Sequence, residues 1–358
     1  MEFGIYSFGD VNIDPAGTPG IDPERVSPEQ QLANTLERIT VADAAGLDYF
    51  GLGEHHRPDY AISAPATVLA AAASVTTNIR LGSAVTVLST EDPVRVFQQF
   101  ATIDLLSHGR AELVAGRGSF IESFPLFGAN LADYDALYAE KLELLLALNN
   151  SDSVSWSGKF RAPLENARIL PRPVGTADSP GKLDIWIATG GNPESSARAG
   201  ILGLPISYAI IGGYPERFAP LFDLYRRAAA QSGHDLKKLK TAIAGPGFIG
   251  KTSQQARNDF YPYWMSSMTR ISKERGFPTP NRASFDDLAG PRGAIFSGSA
   301  NEVADKIIAT HGHLGNDRIG LQMDWAGVPQ PILMRSIELF ATEVAPQVRA
   351  ALGVSVSV

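Results

Sequence analysis

Cysteine is absent from the 358 residues. That removes disulfides, thiolate nucleophiles and thiolate metal sites, and it leaves the compartment open. Basic blocks are missing as well. Lys and Arg number 31 against 38 Asp and Glu, a formal net charge of −7. No nucleic-acid or anionic-membrane partner is expected from such a balance. The most apolar long stretch, Ala64 to Val75, is alanine-rich and too short to span a bilayer. Met1-Glu2-Phe3-Gly4 shows no basic segment followed by an apolar run, so no signal peptide is read and a cytoplasmic location is the default expectation. A His-x-His pair on the first strand is lacking too. Beyond His55-His56, no histidine falls at the end of a predicted strand. Adjacent strand residues face opposite ways, so these two are poorly placed to share a metal. No metal site is expected.

What is present is an ordinary globular composition, 44% hydrophobic and 19% charged. Strand and helix patterns alternate along the chain. Strands are read at 3–8, 48–53, 79–88, 111–116, 183–188, 205–211, 240–249 and 317–324. Helices are read at 28–46, 65–77, 93–106, 131–148, 193–199, 215–230, 253–275, 300–309 and 329–343. The loop at 9–28 is rich in Pro, Gly and Asp. The stretch 149–180, with Val154-Ser155-Trp156 and a turn at Gly158, is read as an excursion, a small hairpin, too short to hold its own core. The polar stretch 276–297 is long enough to expect a lid or a disordered loop. Eight strand–helix units imply a parallel sheet and favour a closed (β/α)8 barrel in one domain over residues 1–358. An open doubly wound sheet remains the alternative.

In such a barrel, chemistry sits at the strand C-terminal ends. Phe50-Gly51-Leu52-Gly53-Glu54-His55-His56 and Leu113-Val114-Ala115-Gly116-Arg117-Gly118 are apolar runs that each end in polar residues. One of the two histidines either caps a buried loop or faces the pocket as an acid, base or hydrogen-bond donor. Glu54 orients a neighbour or pairs with a cation, and is not read as a reacting group. Arg117, between two glycines, either forms a structural ion pair or grips a phosphate. Thr189-Gly190-Gly191-Asn192-Pro193 joins a strand end to a helix start, with Asn192 as N-cap and Pro193 as first helical residue. It is either a plain tight turn or an anion site with free backbone N–H groups. Glu194 should then point away. Arg117 and this turn fall on successive strands, which suggests one phosphate clamp. Tyr208, Trp264, Met323 and Trp325 are either pocket walls or core.

The ordered set Gly51-Leu52-Gly53-Glu54-His55-His56, Ile79-Arg80-Leu81-Gly82-Ser83-Ala84-Val85, Asp92-Pro93-Val94-Arg95, Asp104-Leu105-Leu106-Ser107-His108-Gly109-Arg110, Gly116-Arg117-Gly118 and Gly298-Ser299-Ala300-Asn301-Glu302-Val303-Ala304 resembles the bacterial luciferase-like flavin monooxygenases over nearly the whole chain. The resemblance implies a (β/α)8 barrel, dimeric through its second and third helices. It also implies reduced FMN at the C-terminal face, supplied by a separate NAD(P)H-dependent flavin reductase, with O2 and a small, largely apolar molecule as substrates.

By the same resemblance His55 is the catalytic histidine, and Ala84–Val85 is a non-proline cis peptide against the flavin ring. Arg117 holds the FMN phosphate, with Thr189, Gly190, Gly191 and Asn192 completing its site by backbone donors. Gly116 stands where luciferases carry a reactive cysteine, with Phe120 at the neighbouring aromatic position, so light emission is not expected. Residues 276–297 correspond to a lid that keeps water from the flavin. The alternatives are a deazaflavin-dependent dehydrogenase of the same superfamily, which the acidic balance disfavours, and a flavin-holding protein without catalysis.

Overall fold

A computed structural model describes residues 1–13, 20 and 26–353. Part of the predicted 9–28 loop therefore lies outside the described residues. Eight strands form the barrel: β1 (Glu2–Ser7), β2 (Tyr49–Leu52), β3 (Arg80–Ser83), β4 (Ala111–Gly116), β5 (Asp184–Thr189), β6 (Ile206–Ala209), β7 (Thr241–Ile249) and β8 (Arg318–Gln322). Each pairs in parallel with the next in sequence, β4 with β5 at Asp184↔Glu112 among them, and β8 returns to β1 at Gly4↔Gly320. The sheet is closed, which removes the open-sheet alternative.

The helices between the strands start where short polar caps meet proline. Helices α1 (Pro28–Ala44), α2 (Pro65–Ala73), α3 (Pro93–Leu106), α4 (Tyr134–Asn150), α5 (Pro193–Leu202), α6 (Ala219–Gln231) and α7 (Ser253–Arg275) follow β1 to β7 in turn, α4 preceded by the short helix Ser123–Leu126. Ser27, Asp92 and Asn192 accept hydrogen bonds from first-turn N–H groups, each with proline at the next position. Such caps satisfy donors that a helix leaves unpaired. Gly203 ends α5 at φ 65°, a conformation that costs glycine little.

Alternate strand residues divide two cores. Phe3, Ile5, Phe50, Leu52, Leu81, Leu113, Ile185, Ile187, Ile243 and Ile319 face the helices in one large cluster. Val114, Trp186 and Ala242 form a smaller cluster of buried residues. They share one face of their strands, the barrel interior. Tyr6 and Tyr49 also fill the interior because glycines face them. A Cβ on Gly320 would lie 1.8 Å from Tyr6, and one on Gly82 2.5 Å from the Tyr49 hydroxyl.

The N-terminal floor is ionic. Arg318, 1% exposed, lies between the rings of Tyr49 and Trp186, at 4.4 and 4.5 Å. It donates to both carboxyl oxygens of Glu112 at 2.6 and 2.8 Å and to Glu2 at 2.7 Å, while Arg80 bonds Glu112 and Asp184. Burial by itself would raise the Glu112 carboxyl, but Arg318 and Arg80 draw it down to about 2. The floor closes the barrel at one end and leaves the other for ligands.

The 149–180 excursion holds two small antiparallel hairpins where the sequence suggests one, Val154–Trp156 with Leu164–Ala167 and Gly175–Thr176 with Ser179–Pro180. One expectation needs correction. The 276–297 stretch is not a bare loop. It carries helix α8 (Arg282–Ala289), capped by Asn281, and then leads into a strand, Phe296–Gly298, that pairs in parallel with the end of β7 before α9 (Ala300–Leu314). Phe285 of α8 is fully buried against Phe260, Tyr261 and Trp264. Polar composition hid this segment because α8 is a short helix whose apolar face is only Phe285, Leu288 and Ala289.

Candidate active site

A cavity of about 410 Å³ opens at the C-terminal ends of the strands. His55, Ala84, Val85, Gly116, Arg117, Thr189 and Gly190 line it; Gly191 and Asn192 do not. No residue of 276–297 lines it either. The nearest part of that region is the end of α7, through Ile271 and Arg275.

Glu54 organises the end of β2. One carboxylate oxygen accepts from Val87 N at 2.8 Å, and the other accepts from His56 Nε2 at 2.9 Å. His56 is thereby held against Phe127, with ring centres 5.1 Å apart. His55 turns the other way, into an aromatic cage. Its ring stacks on Tyr60 at 4.3 Å and meets Phe8 and Phe120 edge-on at 4.5 and 5.3 Å. Burial, with help from Arg57 and His56, lowers its pKa to about 3. The imidazole is neutral at physiological pH. Its Nε2 is buried and has no hydrogen-bond partner among the described residues. A buried ring nitrogen in that condition lacks a partner that a ligand can supply.

Beyond Ser83 the chain breaks at a cis peptide between Ala84 and Val85, then rejoins the sheet as Thr86–Val87 beside Ala115–Gly116. The sequence reads one strand across 79–88; the structure interrupts it there. Val85 packs so closely on Gly116 that a Cβ at Gly116 would lie 2.5 Å from Val85 Cγ2. Ala84, Val85, Val114 and Gly116 present small side chains along this wall of the cavity.

Arg117 continues from β4 onto the rim. Nη1 donates to Asp135 at 2.6 Å, and the guanidinium lies 5.3 Å from the Tyr134 ring. Asp135 is 71% exposed, so this pair is a weak competitor for an incoming anion. Ser123 also lines the cavity, and its hydroxyl is buried with no partner among the described residues. Thr189 departs from expectation. Its Oγ1 accepts from Gly191 N at 3.2 Å and Asn192 N at 3.0 Å, while Asn192 Oδ1 accepts from Ser195 N. Those N–H groups serve the turn itself. Gly190 faces open space. Glu194 is exposed and outside the cavity lining.

Of the four candidate wall residues, Trp325 alone lines the cavity. Tyr208 stacks on Phe222 and donates to Ser196, Trp264 packs on Phe285, and Met323 is fully buried with its sulfur accepting from Ser336. Sequence reasoning missed Ser123, Tyr134 and Asp10. Only Asp10, in a polar loop straight after β1, carries a positional signal.

The cradle fits a flavin. A wall of small side chains lies between a cationic rim with an unpaired hydroxyl and a neutral imidazole whose Nε2 is unpaired. Residues 1–317 match the family model for luciferase-like monooxygenases. The chain is 27% identical over 351 residues to 4-hydroxyprotoasukamycin monooxygenase of Streptomyces nodosus subsp. asukaensis, covering 94% of this chain and 92% of that one. A monooxygenase from Streptomyces bottropensis shares its fold with a TM-score of 0.80 at 23% identity, over 97% of this chain and 99% of the other. The oxygenating constituent of 3,6-diketocamphane monooxygenase from Pseudomonas putida, solved in complex with FMN, gives 0.73 at 20% identity, over 97% and 98%. An F420-dependent secondary alcohol dehydrogenase also gives 0.73, at 16% identity, over 97% and 99%. With a closed barrel, its chemistry-bearing residues at the strand ends, and a family match running from Met1 to Asp317, this chain belongs to the luciferase-like monooxygenase family.

Proposed function

We propose that this protein is an FMNH2-dependent monooxygenase that inserts one atom of O2 into a small, largely apolar organic molecule. The observation that carries this reading is the single cavity joining the Arg117 rim to the neutral His55 Nε2. Bound reduced FMN supplies the electrons that activate O2. Arg117 holds the phosphate by exchanging Asp135 for it, as a planar guanidinium favours, with Ser123 and Gly190 beside it. Ala84, Val85 and Gly116 give the ring a flat support. His55 offers Nε2 to a proton or a hydrogen bond beside the ring, and its aromatic cage excludes water from that atom. Reduced flavin comes from a separate NAD(P)H-dependent reductase, and the protein works in the cytoplasm as a homodimer.

The test is an anaerobic titration with FMN, FMNH2 and a deazaflavin, with Arg117→Ala alongside. Reduced FMN is expected to bind, and the substitution to weaken it by about 2 kcal/mol, roughly thirtyfold, as for a lost charge-assisted pair. Binding of the deazaflavin alone would replace oxygen insertion by hydride transfer. That second reading draws on the shared fold of the F420-dependent dehydrogenase. A reduced-FMN complex that yields no oxidised product from any of a broad set of candidate substrates would favour a flavin carrier.

A further inference from the structure

The cavity has a second polar end, far from Arg117. Asp10 follows β1, Gln322 ends β8 and Trp325 follows it, and β8 pairs with β1. These three side chains therefore share the arc of the barrel opposite β4 and β5, which carry Arg117 and Thr189. All three line the cavity. Asp10 is 2% exposed; its Oδ2 accepts from Ala326 N at 3.1 Å, while its Oδ1 receives, among the described residues, a long 3.4 Å contact from Gln322 Nε2. Trp325 is 4% exposed, and its Nε1 is buried with no hydrogen-bond partner among the described residues.

An indole N–H can only donate, and a buried donor without an acceptor costs about 1–3 kcal/mol. Trp156, Trp186 and Trp264 also have an indole N–H without a hydrogen-bond partner at ordinary distance among the described residues, but none of them lines the cavity. Trp325 is the one of the four whose side chain borders the cavity. Phe8, Tyr60 and Ile271 form the apolar surface next to this polar arc.

The arc therefore asks for one group that accepts from an indole and also pairs with a carboxyl. A hydroxyl does both. A hydrocarbon leaves both unpaired. We propose that Asp10 and Trp325 form a hydroxyl-recognition subsite, so that the substrate is a small alcohol or phenol whose apolar body packs on Phe8, Tyr60 and Ile271. This rests on the cavity being the substrate chamber of a flavin enzyme. Burial and the neighbouring Asp324 carboxyl push Asp10 well above its usual range. A hydroxyl suits it in either state, since it donates to a carboxylate and accepts from an acid.

The experiment uses protein saturated with oxidised FMN and an isosteric probe pair, 1-naphthol and 1-methylnaphthalene, measured by calorimetry. The parent is expected to prefer the naphthol by about tenfold or more, as a site built for a hydroxyl should. Trp325→Phe and Asp10→Leu should each bring that ratio near unity, with methylnaphthalene affinity and FMN affinity unchanged. The leucine keeps the approximate size of Asp10 and removes its polar atoms, so it reports even where the phenylalanine disturbs folding. Equal affinity of the parent for both probes, binding of neither, or an unchanged ratio in both variants overturns the subsite. A naphthol preference persisting in protein that binds no FMN would instead overturn the flavin reading and leave the subsite standing.

Discussion

His55 illustrates how one side chain links burial to chemistry. Its pKa of about 3 lies below the reference 6.5, so between those values the unfolded chain binds a proton that the folded chain refuses. The resulting stability is complete above pH 6.5 and is lost as pH falls from 6.5 towards 3. Urea unfolding at pH 7.5 and pH 5 should show a larger drop for the parent than for His55→Gln. An equal drop in both would place the proton elsewhere. Gly116 gives a steric counterpart. A methyl group there would sit 2.5 Å from Val85 Cγ2. Gly116→Ala should cost about 1–3 kcal/mol in thermal unfolding, the usual range for overpacking. It should also weaken flavin binding, because Val85 has to move along the wall that supports the ring.

At the scale of elements, the barrel floor depends on Glu112. It ties β4 to β8 through Arg318 and to β3 through Arg80. Glu112→Gln leaves the buried Arg318 and the half-buried Arg80 short of a carboxylate, and breaking a buried pair such as Glu112–Arg318 costs about 3–5 kcal/mol. Its folded value of about 2 lies below the reference 4.5. The stability it contributes is present above pH 4.5 and lost between 4.5 and 2, a window below that of His55. Acid unfolding followed by circular dichroism should be flatter across that window in the variant. Lys306 does similar work for the segment after α7. Burial lowers it to about 7, and its ammonium donates to the carbonyls of Leu288, Gly290 and Ile295 at 3.2, 2.7 and 2.6 Å. Lys306→Met removes three donors from buried carbonyls. It should speed amide exchange across residues 288–296, with a loss of about 2 kcal/mol.

For the whole molecule, the assembly prediction concerns the outer faces of α2 and α3. Val75, just beyond α2, is 52% exposed, and Leu105 and Leu106 of α3 are 39% and 53% exposed. The homodimer proposed above would bury this region. Sedimentation should give twice the 38.3 kDa chain mass, and Leu106→Arg should shift the protein towards monomer. A parent that sediments as a monomer at micromolar concentration would rule that assembly out.

Much of this architecture was legible before any coordinates. Ser27-Pro28, Asp92-Pro93 and Asn192-Pro193 announce helix starts by local chemistry, and the apolar runs ending at Gly53 and Gly116 announce strands. Periodicity and capping act over a few residues, so the chain itself determined the alternation, the eight strands and the polar residues at their ends. Other features depend on contacts between distant residues. Only closure of β8 onto β1 brings Trp325 and Ala326 beside Asp10, more than 300 positions away in sequence. Both histidines line the cavity, and packing decided which keeps an unpaired ring nitrogen, because Glu54 claims His56 and leaves His55 to the aromatic cage. The Thr189 hydroxyl took the N–H groups that a sequence reading assigns to an anion. Side-chain hydrogen bonds compete for backbone donors once the fold exists, and no spacing rule ranks the competitors. Tertiary structure alone settled those choices.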